Sequence, residues 1–290
     1  MKNNRIKYNE ILVIIVSFNG FPKIKQTIDA LYNKVGHILI VDNASEAVSQ
    51  DFLDSIERKE GVSISRLIEN KGIGYALNVG INQAKSMNYN WLLTMDQDSI
   101  IDPTMIDEYC KCLNYNTELE CLTPNIVVHG KKDEITSDKY VKYAITSGNL
   151  VKTSLFDEIG MYNEDLFIDC IDFDFSLRVR QAGYGIYRVN SALMQHELGD
   201  EFNLPPILAK FYTLHSPLRR YYMYRNSLYI INKYFFTFPL FVIKLTISNI
   251  LLLLLIPFND SRPFTSLLYV FRGVKDYLSG VRGIYREINK

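Results

Sequence analysis

Six consecutive apolar residues, Ile11-Leu-Val-Ile-Ile-Val16, leave no polar position on either side of a strand. Five of the six are β-branched, and a strand covered on both faces reads this way. His37-Ile-Leu-Ile-Val41 and Trp91-Leu-Leu-Thr-Met95 repeat the pattern, and Val62–Ile68 supplies a further strand. Helical patterns fall between and after them: Pro22–Leu31, Phe52–Lys59, Gly74–Met87 and Pro103–Tyr115. In the third of these, Ala76, Gly80 and Ala84 recur at i,i+4 and make a face for close packing. Strands alternating with helices predict an α/β fold with a mostly parallel sheet. Such sheets bind ligands at the carboxyl ends of their strands. Ser17 and Asn19, Asp42 and Asn43, and Asp96 and Asp98 each follow one of these runs, so three polar clusters share one rim.

The second half is less regular. His129–Lys142 reads as a polar loop, Ala144–Val151 as a strand, Asp172–Ala182 as a helix stopped by Gly183, and Tyr187–Val189 as a short strand. Beyond Pro205-Pro206 the chain turns aromatic, basic and helical. Residues 205–290 hold 12 basic and 3 acidic residues, a net +9, which the remaining residues balance at −9. An acidic body with a basic, apolar tail argues against nucleic acid as a partner and points to a membrane surface. In Tyr234–Phe258, Pro239, Lys244, Ser248 and Asn249 interrupt the apolar run, and Ile250–Ile256 is too short to span a bilayer. The expectation is a membrane-associated or self-associating (homodimerising) helix pair, with a transmembrane helix as the minority alternative and an ordinary buried core helix as the plain one. The expected division is 1–204 (a nucleotide-binding half, 1–100, and an acceptor half, 101–204), followed by a helical region, 205–290.

Four cysteines (110, 112, 121 and 170) make no CxxC pair, and His37, His129, His196 and His215 lack zinc-finger spacing. Cys110 and Cys112 read as helical core positions, and this usage suits a reducing cytoplasm. Ile11–Val16 is too short for a signal segment.

Asp96-Gln97-Asp98 places two carboxylates on one side of a strand end. Paired hard oxygens there suit Mg²⁺ or Mn²⁺ with positions left for water and phosphate. Asn70-Lys71-Gly72-Ile73-Gly74 precedes a helix, where glycines admit a nucleotide close to backbone N–H groups. The dinucleotide fingerprint G-x-G-x-x-G fails at Leu77, and a tight turn accounts equally well for the glycines. In Leu166–Arg178, Asp174 and Arg178 are spaced to pair, Asp169 can cap, and Asp172 exceeds those needs as a candidate general base. His196, after a strand and before Gly199, can offer a neutral imidazole to the same ion.

With these residues assembled, the chain resembles a family 2 glycosyltransferase of the GT-A fold, and within it the bacterial rhamnosyltransferase branch. The resemblance is carried by Val16-Ser17-Phe18-Asn19, Val41-Asp42-Asn43-Ala44-Ser45, Asn70-Lys71-Gly72, Met95-Asp96-Gln97-Asp98-Ser99, Ser147-Gly148-Asn149, Phe167–Arg178 and His196-Glu197-Leu198-Gly199. Arg219-Arg220-Tyr221-Tyr222 with Arg225-Asn226 resembles the branch's tail motif. The resemblance implies a nucleotide-sugar donor, a divalent cation (Mg²⁺ or Mn²⁺) and an inverting transfer to a lipid-linked or polysaccharide acceptor. It implies that Ser17, Asn19, Asp42 and Asn43 hold base and ribose, that Asn70 and Gly72 line the nucleotide, and that Gln97 lies among them. It makes Asp98 the more direct metal ligand, Asp96 nearer ribose and sugar, and His196 the completing ligand. Asp172 matches the base, with Asp169 the alternative; Ile171 replaces a glutamate many members carry, a departure the rhamnosyltransferase branch shares. Ser147, Gly148, Asn149 and Asp174 fall on the acceptor side. By resemblance the donor is dTDP-L-rhamnose, with UDP-hexoses next, and the location is the inner face of the plasma membrane. A nucleotidylyltransferase would carry a basic Gly-rich loop after the first strand, which Ser17–Pro22 lacks; a non-catalytic sugar-nucleotide binder would not need Asp96, Asp98 and Asp172 intact.

Overall fold

The alternation of apolar runs becomes a parallel β-sheet in the computed structural model, which describes residues 6–20, 23–128, 131–132, 137–195 and 215–286. The elements are β1 (Ile11–Ser17), α1 (Lys23–Leu31), β2 (His37–Asp42), α2 (Ala47–Ile56), β3 (Val62–Arg66), α3 (Ile73–Ser86), β4 (Trp91–Asp96), β5 (Ile100–Ile101) and α4 (Met105–Tyr115). They continue with β6 (Cys121–Val128), β7 (Lys131–Lys132), β8 (Lys139–Val141), β9 (Asn149–Lys152), α5 (Leu155–Ile159), α6 (Ile171–Gln181) and β10 (Ile186–Gln195). Three helices close the chain: α7 (Pro217–Tyr234), α8 (Pro239–Asn259) and α9 (Pro263–Leu278).

One sheet runs in the order β3-β2-β1-β4-β9-β6-β10-β5, with β7 on β6 and β8 on β10. β3, β2, β1 and β4 pair with one another in parallel, as the apolar runs predict. All seven residues of β1 are buried, since both its faces are covered. On α3, Ala76, Gly80 and Ala84 are buried as predicted, and a Cβ on Gly80 would come within 2.5 Å of Ile14 Cγ2. That approach lets the helix lie directly on the sheet.

The rest of the sheet departs from the expectation of a mostly parallel arrangement. β9 enters antiparallel between β4 and β6, and beyond it only β6 and β10 pair in parallel. The expected strand over 144–151 is confined to β9, because the chain first turns at Gly148 with φ +81°. A Cβ there would lie 2.6 Å from Pro124 Cγ, so glycine is required both for conformation and for room. The loop expected at 129–142 contains the edge strand β8, and the short strand at 187–189 extends to Gln195 past an irregularity between Val189 and Leu193. Cys110 and Cys112 ride on α4, where burial pushes both thiols up to about 11; they are packing residues, as expected.

The chain divides into two compact units, Met1–Tyr162 with Phe175–Glu197, and Asn163–Asp174 with Leu198–Lys290. The segment 163–174 therefore groups with the C-terminal helices, not with the sheet.

In that second unit Pro217, Pro239 and Pro263 each open a helix, where a missing N–H costs nothing. Ser216 caps α7 by accepting the Arg219 N–H at 3.3 Å. Pro239 thus starts the apolar run instead of interrupting it, and α8 is one unbroken helix of 21 residues. Among the described residues it is the one helix long and apolar enough to cross a membrane, with a mean hydropathy of 2.3 and only 17% of that window buried. Val242, Leu252 and Ile256 face inward, and the Asn249 carbonyl accepts Tyr224 Oη at 2.8 Å. Leu240, Ile243, Ile247, Ile250, Leu254 and Phe258 are exposed, as are Phe264 and Phe271 of α9.

Candidate active site

The strand register assembles the rim. Ser17 lies opposite Asp42 across β1 and β2, and Val16 opposite Asp96 across β1 and β4. Three neighbouring parallel strands therefore end together at Ser17, Asp42 and Asp96, the arrangement that opens a crevice beyond the strand ends.

Asp42 is fully buried, so its charge needs partners. It accepts the Ser45 N–H at 3.2 Å, the Ser45 hydroxyl, and Gln50 Nε2 at 2.5 Å. Ser45 Oγ in turn accepts the Asn19 N–H, and Asn19 Oδ1 accepts the Glu46 N–H, both at 2.8 Å. Asn19 and Ala44 both sit at positive φ, 53° and 67°. Asn tolerates that conformation; Ala does so only where its surroundings hold it. Asn43 Nδ2 donates to Asn70 Oδ1 at 3.0 Å, and Asn43 Oδ1 accepts the Lys71 N–H at 3.0 Å. Asn70 Oδ1 also accepts the Gly72 N–H at 3.0 Å, and Gly72 has φ +89°, which opens α3. The β2 end and the 70–72 turn are thus one hydrogen-bonded unit, and Ser17, Asn19, Asp42, Asn43, Asn70 and Gly72 are brought together.

Gln97 holds the main chain of Phe18 at both ends, accepting its N–H at 2.7 Å and donating to its carbonyl at 3.2 Å. A Cβ on Gly20 would strike Gln97 Oε1 at 2.4 Å, so glycine admits that side chain. Gln97 ties the β1 loop to the β4 loop. Asp96 and Asp98, on either side of it, are half-buried.

Ser147, Gly148 and Asn149 are buried beneath this rim instead of facing an acceptor surface. The Asp96 N–H donates to Ser147 Oγ at 3.0 Å, and Ser147 and Ser99 hydroxyls meet at 2.7 Å. The Gly148 N–H donates to the Thr94 carbonyl at 2.7 Å, and Thr94 Oγ1 to the Thr146 carbonyl at 2.6 Å. As placed, they fix the end of β4 from below. Ser99, Thr94 and Gln50 were not identifiable from sequence as site residues; Ser99 and Thr94 flank the two carboxylates, which is the one signal available.

In the second unit, Glu164–Leu166 forms one 3₁₀ turn, and Phe167, Asp169 and Cys170 then take positive φ of 62–64°. Each such non-glycine residue costs of order 1–3 kcal/mol, a concentration of strain typical of functional sites. Asp169 is paired with Arg219, Oδ1 to Nη2 at 3.1 Å. Burial holds its carboxyl above the ordinary carboxylate range, an effect that Arg219 only partly offsets. Asp172 opens α6, half-buried, with Oδ1 accepting the Phe173 N–H at 2.9 Å. Asp174 is wholly buried, bonded to Lys233 Nζ at 2.7 Å and Tyr234 Oη at 2.9 Å, which leaves it no surface for an acceptor. Arg178 Nη1 donates to the carbonyls of Ile159 and Gly160. His196 lies outside the described residues, and among the described residues no three His, Cys, Asp or Glu side chains gather as a metal cluster. Asp96 and Asp98 supply a two-oxygen donor set at a half-open strand end, which fits a hard divalent ion that keeps positions for phosphate and water.

Residues 12–149 match the family model described as glycosyl transferase family 2. Along 95% of its length the chain is 26% identical to a dTDP-rhamnosyl transferase, RfbF, of Shigella flexneri, covering 97% of that protein. Among solved structures, it superimposes on residues 1–349 of Staphylococcus aureus TarS in complex with UDP-GlcNAc with a TM-score of 0.61, at 14% identity, over 95% of this chain and 82% of that one. It superimposes on GalNAc-T7 with UDP, GalNAc and Mn²⁺ with a TM-score of 0.57, at 16% identity, over 67% of this chain and 44% of that one.

Proposed function

We propose that the chain is an inverting family 2 glycosyltransferase that moves L-rhamnose from dTDP-L-rhamnose to a hydroxyl of a lipid-linked or polysaccharide acceptor. The observation that carries the donor is the likeness to a dTDP-rhamnosyl transferase through nearly the whole of both chains, tail included. Ser17, Asn19, Asp42, Asn43, Asn70 and Gly72 would hold the nucleoside, on a rim whose members already bond one another. Such a pre-formed rim loses little entropy on binding.

Asp172 is the base. It takes the proton of the acceptor hydroxyl as that oxygen bonds to the anomeric carbon. The bond from that carbon to the diphosphate breaks in the same displacement, and its electron pair leaves on the nucleoside diphosphate. Asp96 and Asp98, with His196 as the third candidate, would hold Mg²⁺ or Mn²⁺, whose contribution is to neutralise charge on the leaving diphosphate.

The test is donor hydrolysis across a panel of nucleotide sugars with Mn²⁺, and again with chelator. The expected result is chelator-sensitive release of dTDP from dTDP-L-rhamnose. Release from a UDP-hexose instead would replace the donor and keep the rest.

The exposed face of α8 and α9 suits the surface of an anionic bilayer. The inner face of α8 is bound to α7, which carries Arg219, Arg220, Arg225 and Lys233, so α8 cannot cross a membrane without taking those charges along. Lying in the interface, it buries its apolar side while Lys244, Arg262 and Lys275 meet lipid phosphates. The protein should float with phosphatidylglycerol vesicles and not with phosphatidylcholine ones, and Ile247→Glu with Leu254→Glu should abolish flotation. A dimer that ignores both kinds of vesicle would assign the face to self-association.

A further inference from the structure

The tail residues Arg219, Arg225 and Asn226 have no part in the chemistry above, yet they converge on the strained segment that precedes Asp172. Asn226 is completely buried, and its Nδ2 donates to three carbonyls of the turn: Leu166 at 2.7 Å, Ile168 at 2.6 Å and Asp169 at 3.1 Å. Arg225 orients that amide, since its Nε donates to Asn226 Oδ1 at 3.0 Å and so turns Nδ2 toward the carbonyls. Arg225 is held in turn over the Tyr221 and Tyr222 rings, at 5.1 and 5.0 Å, and by the Gly283 carbonyl at 2.8 Å. Phe167 stacks on Tyr222 at 5.0 Å, and Arg219 grips the Asp169 carboxylate. Every positive-φ residue here lies within five positions of Asp172, and the carbonyls of Leu166, Ile168 and Asp169 in the same turn find a buried donor in Asn226.

We infer that Asn226, oriented by Arg225, is the positioning residue of the catalytic base: it holds the left-handed turn Leu166–Cys170 that sets where Asp172 leaves the start of α6. The inference rests on the reading of Asp172 as the base. A side chain so positioned loses rate steeply for small displacements.

The experiment measures metal-dependent hydrolysis of dTDP-L-rhamnose, with water standing in for the acceptor, beside the melting-temperature rise caused by dTDP with Mn²⁺. The variants are Asn226→Ala, Asp172→Asn, the two combined, and Tyr229→Phe, whose hydroxyl bonds Val281 from the same helix and serves as control. Asn226→Ala should lower kcat about 10- to 100-fold with donor KM and the dTDP-induced rise unchanged. The double variant should be no slower than Asp172→Asn alone, because both act on one step. Full activity of Asn226→Ala beside an inactive Asp172→Asn overturns the positioning role and leaves the base reading standing. Full activity of Asp172→Asn sinks the base reading and the inference together. Multiplying losses in the double variant overturn the inference, as the tail would then act elsewhere. Where Asn226→Ala does not fold, Arg219→Gln, on a half-exposed side chain, should show the same kcat loss in smaller measure, and an unchanged kcat there counts against the inference.

Discussion

Asp172→Asn should transfer sugar about 10²- to 10⁴-fold more slowly than the native chain while still binding nucleotide. The substitution keeps shape and hydrogen-bonding capacity and removes only the ability to accept a proton. Initial rates of nucleoside diphosphate release give the first quantity, and the melting-temperature rise with dTDP and Mn²⁺ gives the second. Native rates in this variant would transfer the role to Asp169. That carboxylate is already committed to Arg219, with three contacts between 3.1 and 3.4 Å, so it would have to break a pair to take a proton. Asp169→Asn should therefore behave as a loss of turn geometry, with a lower melting temperature, which Asp172→Asn should not show.

The largest stability effect should come from Asp260. Its carboxylate meets Arg220 at 3.0 Å with both side chains essentially inaccessible. Removing one partner of a buried pair costs about 3–5 kcal/mol. Asp260→Ala should thus melt the C-terminal unit well below the rest of the chain, measured by denaturant titration of tyrosine fluorescence. His215 lines the same pocket, facing Arg219, Arg220 and Asp260. Burial, then the two arginines, disfavours its cation and holds its pKa down at about 4, against the ordinary 6.5. The unfolded chain protonates this imidazole first as the pH falls. Its contribution is whole above about pH 6.5 and drains away down to about pH 4. His215→Gln should match the native melting temperature at pH 7.5 and exceed it at pH 5; equal values at both would remove His215 from that acid sensitivity.

What could be read from sequence was local. β1, β2 and β4 are buried on both faces, so their runs are apolar throughout and stop abruptly at the rim. The residues on that rim belong to short contiguous stretches, and the structure brings them together. β6 escaped notice because Thr123, Pro124 and Asn125 break its apolar pattern, and its place is set by pairing with β9 and β10. Pro239 reads as a breaker until the helix is seen to begin there. Asp174 also bonds Lys233 and Tyr234, 59 and 60 positions further on, contacts that only tertiary packing makes. The same holds for Ser147, whose contact with Ser99 joins segments 48 positions apart.

That last contact bears on how such enzymes can be recombined. Asp96 ends a strand, with Asp98 just beyond it, and that strand end is bonded to Ser147 and, through Thr94, to residues 146 and 149. The family match closes at residue 149, on the strand that completes this brace. A chimera joined anywhere between 100 and 145 would marry one parent's carboxylates to the other's supports. Segments 94–99 and 146–149 are therefore one hydrogen-bonded unit, and a chimera that moves one should move the other with it.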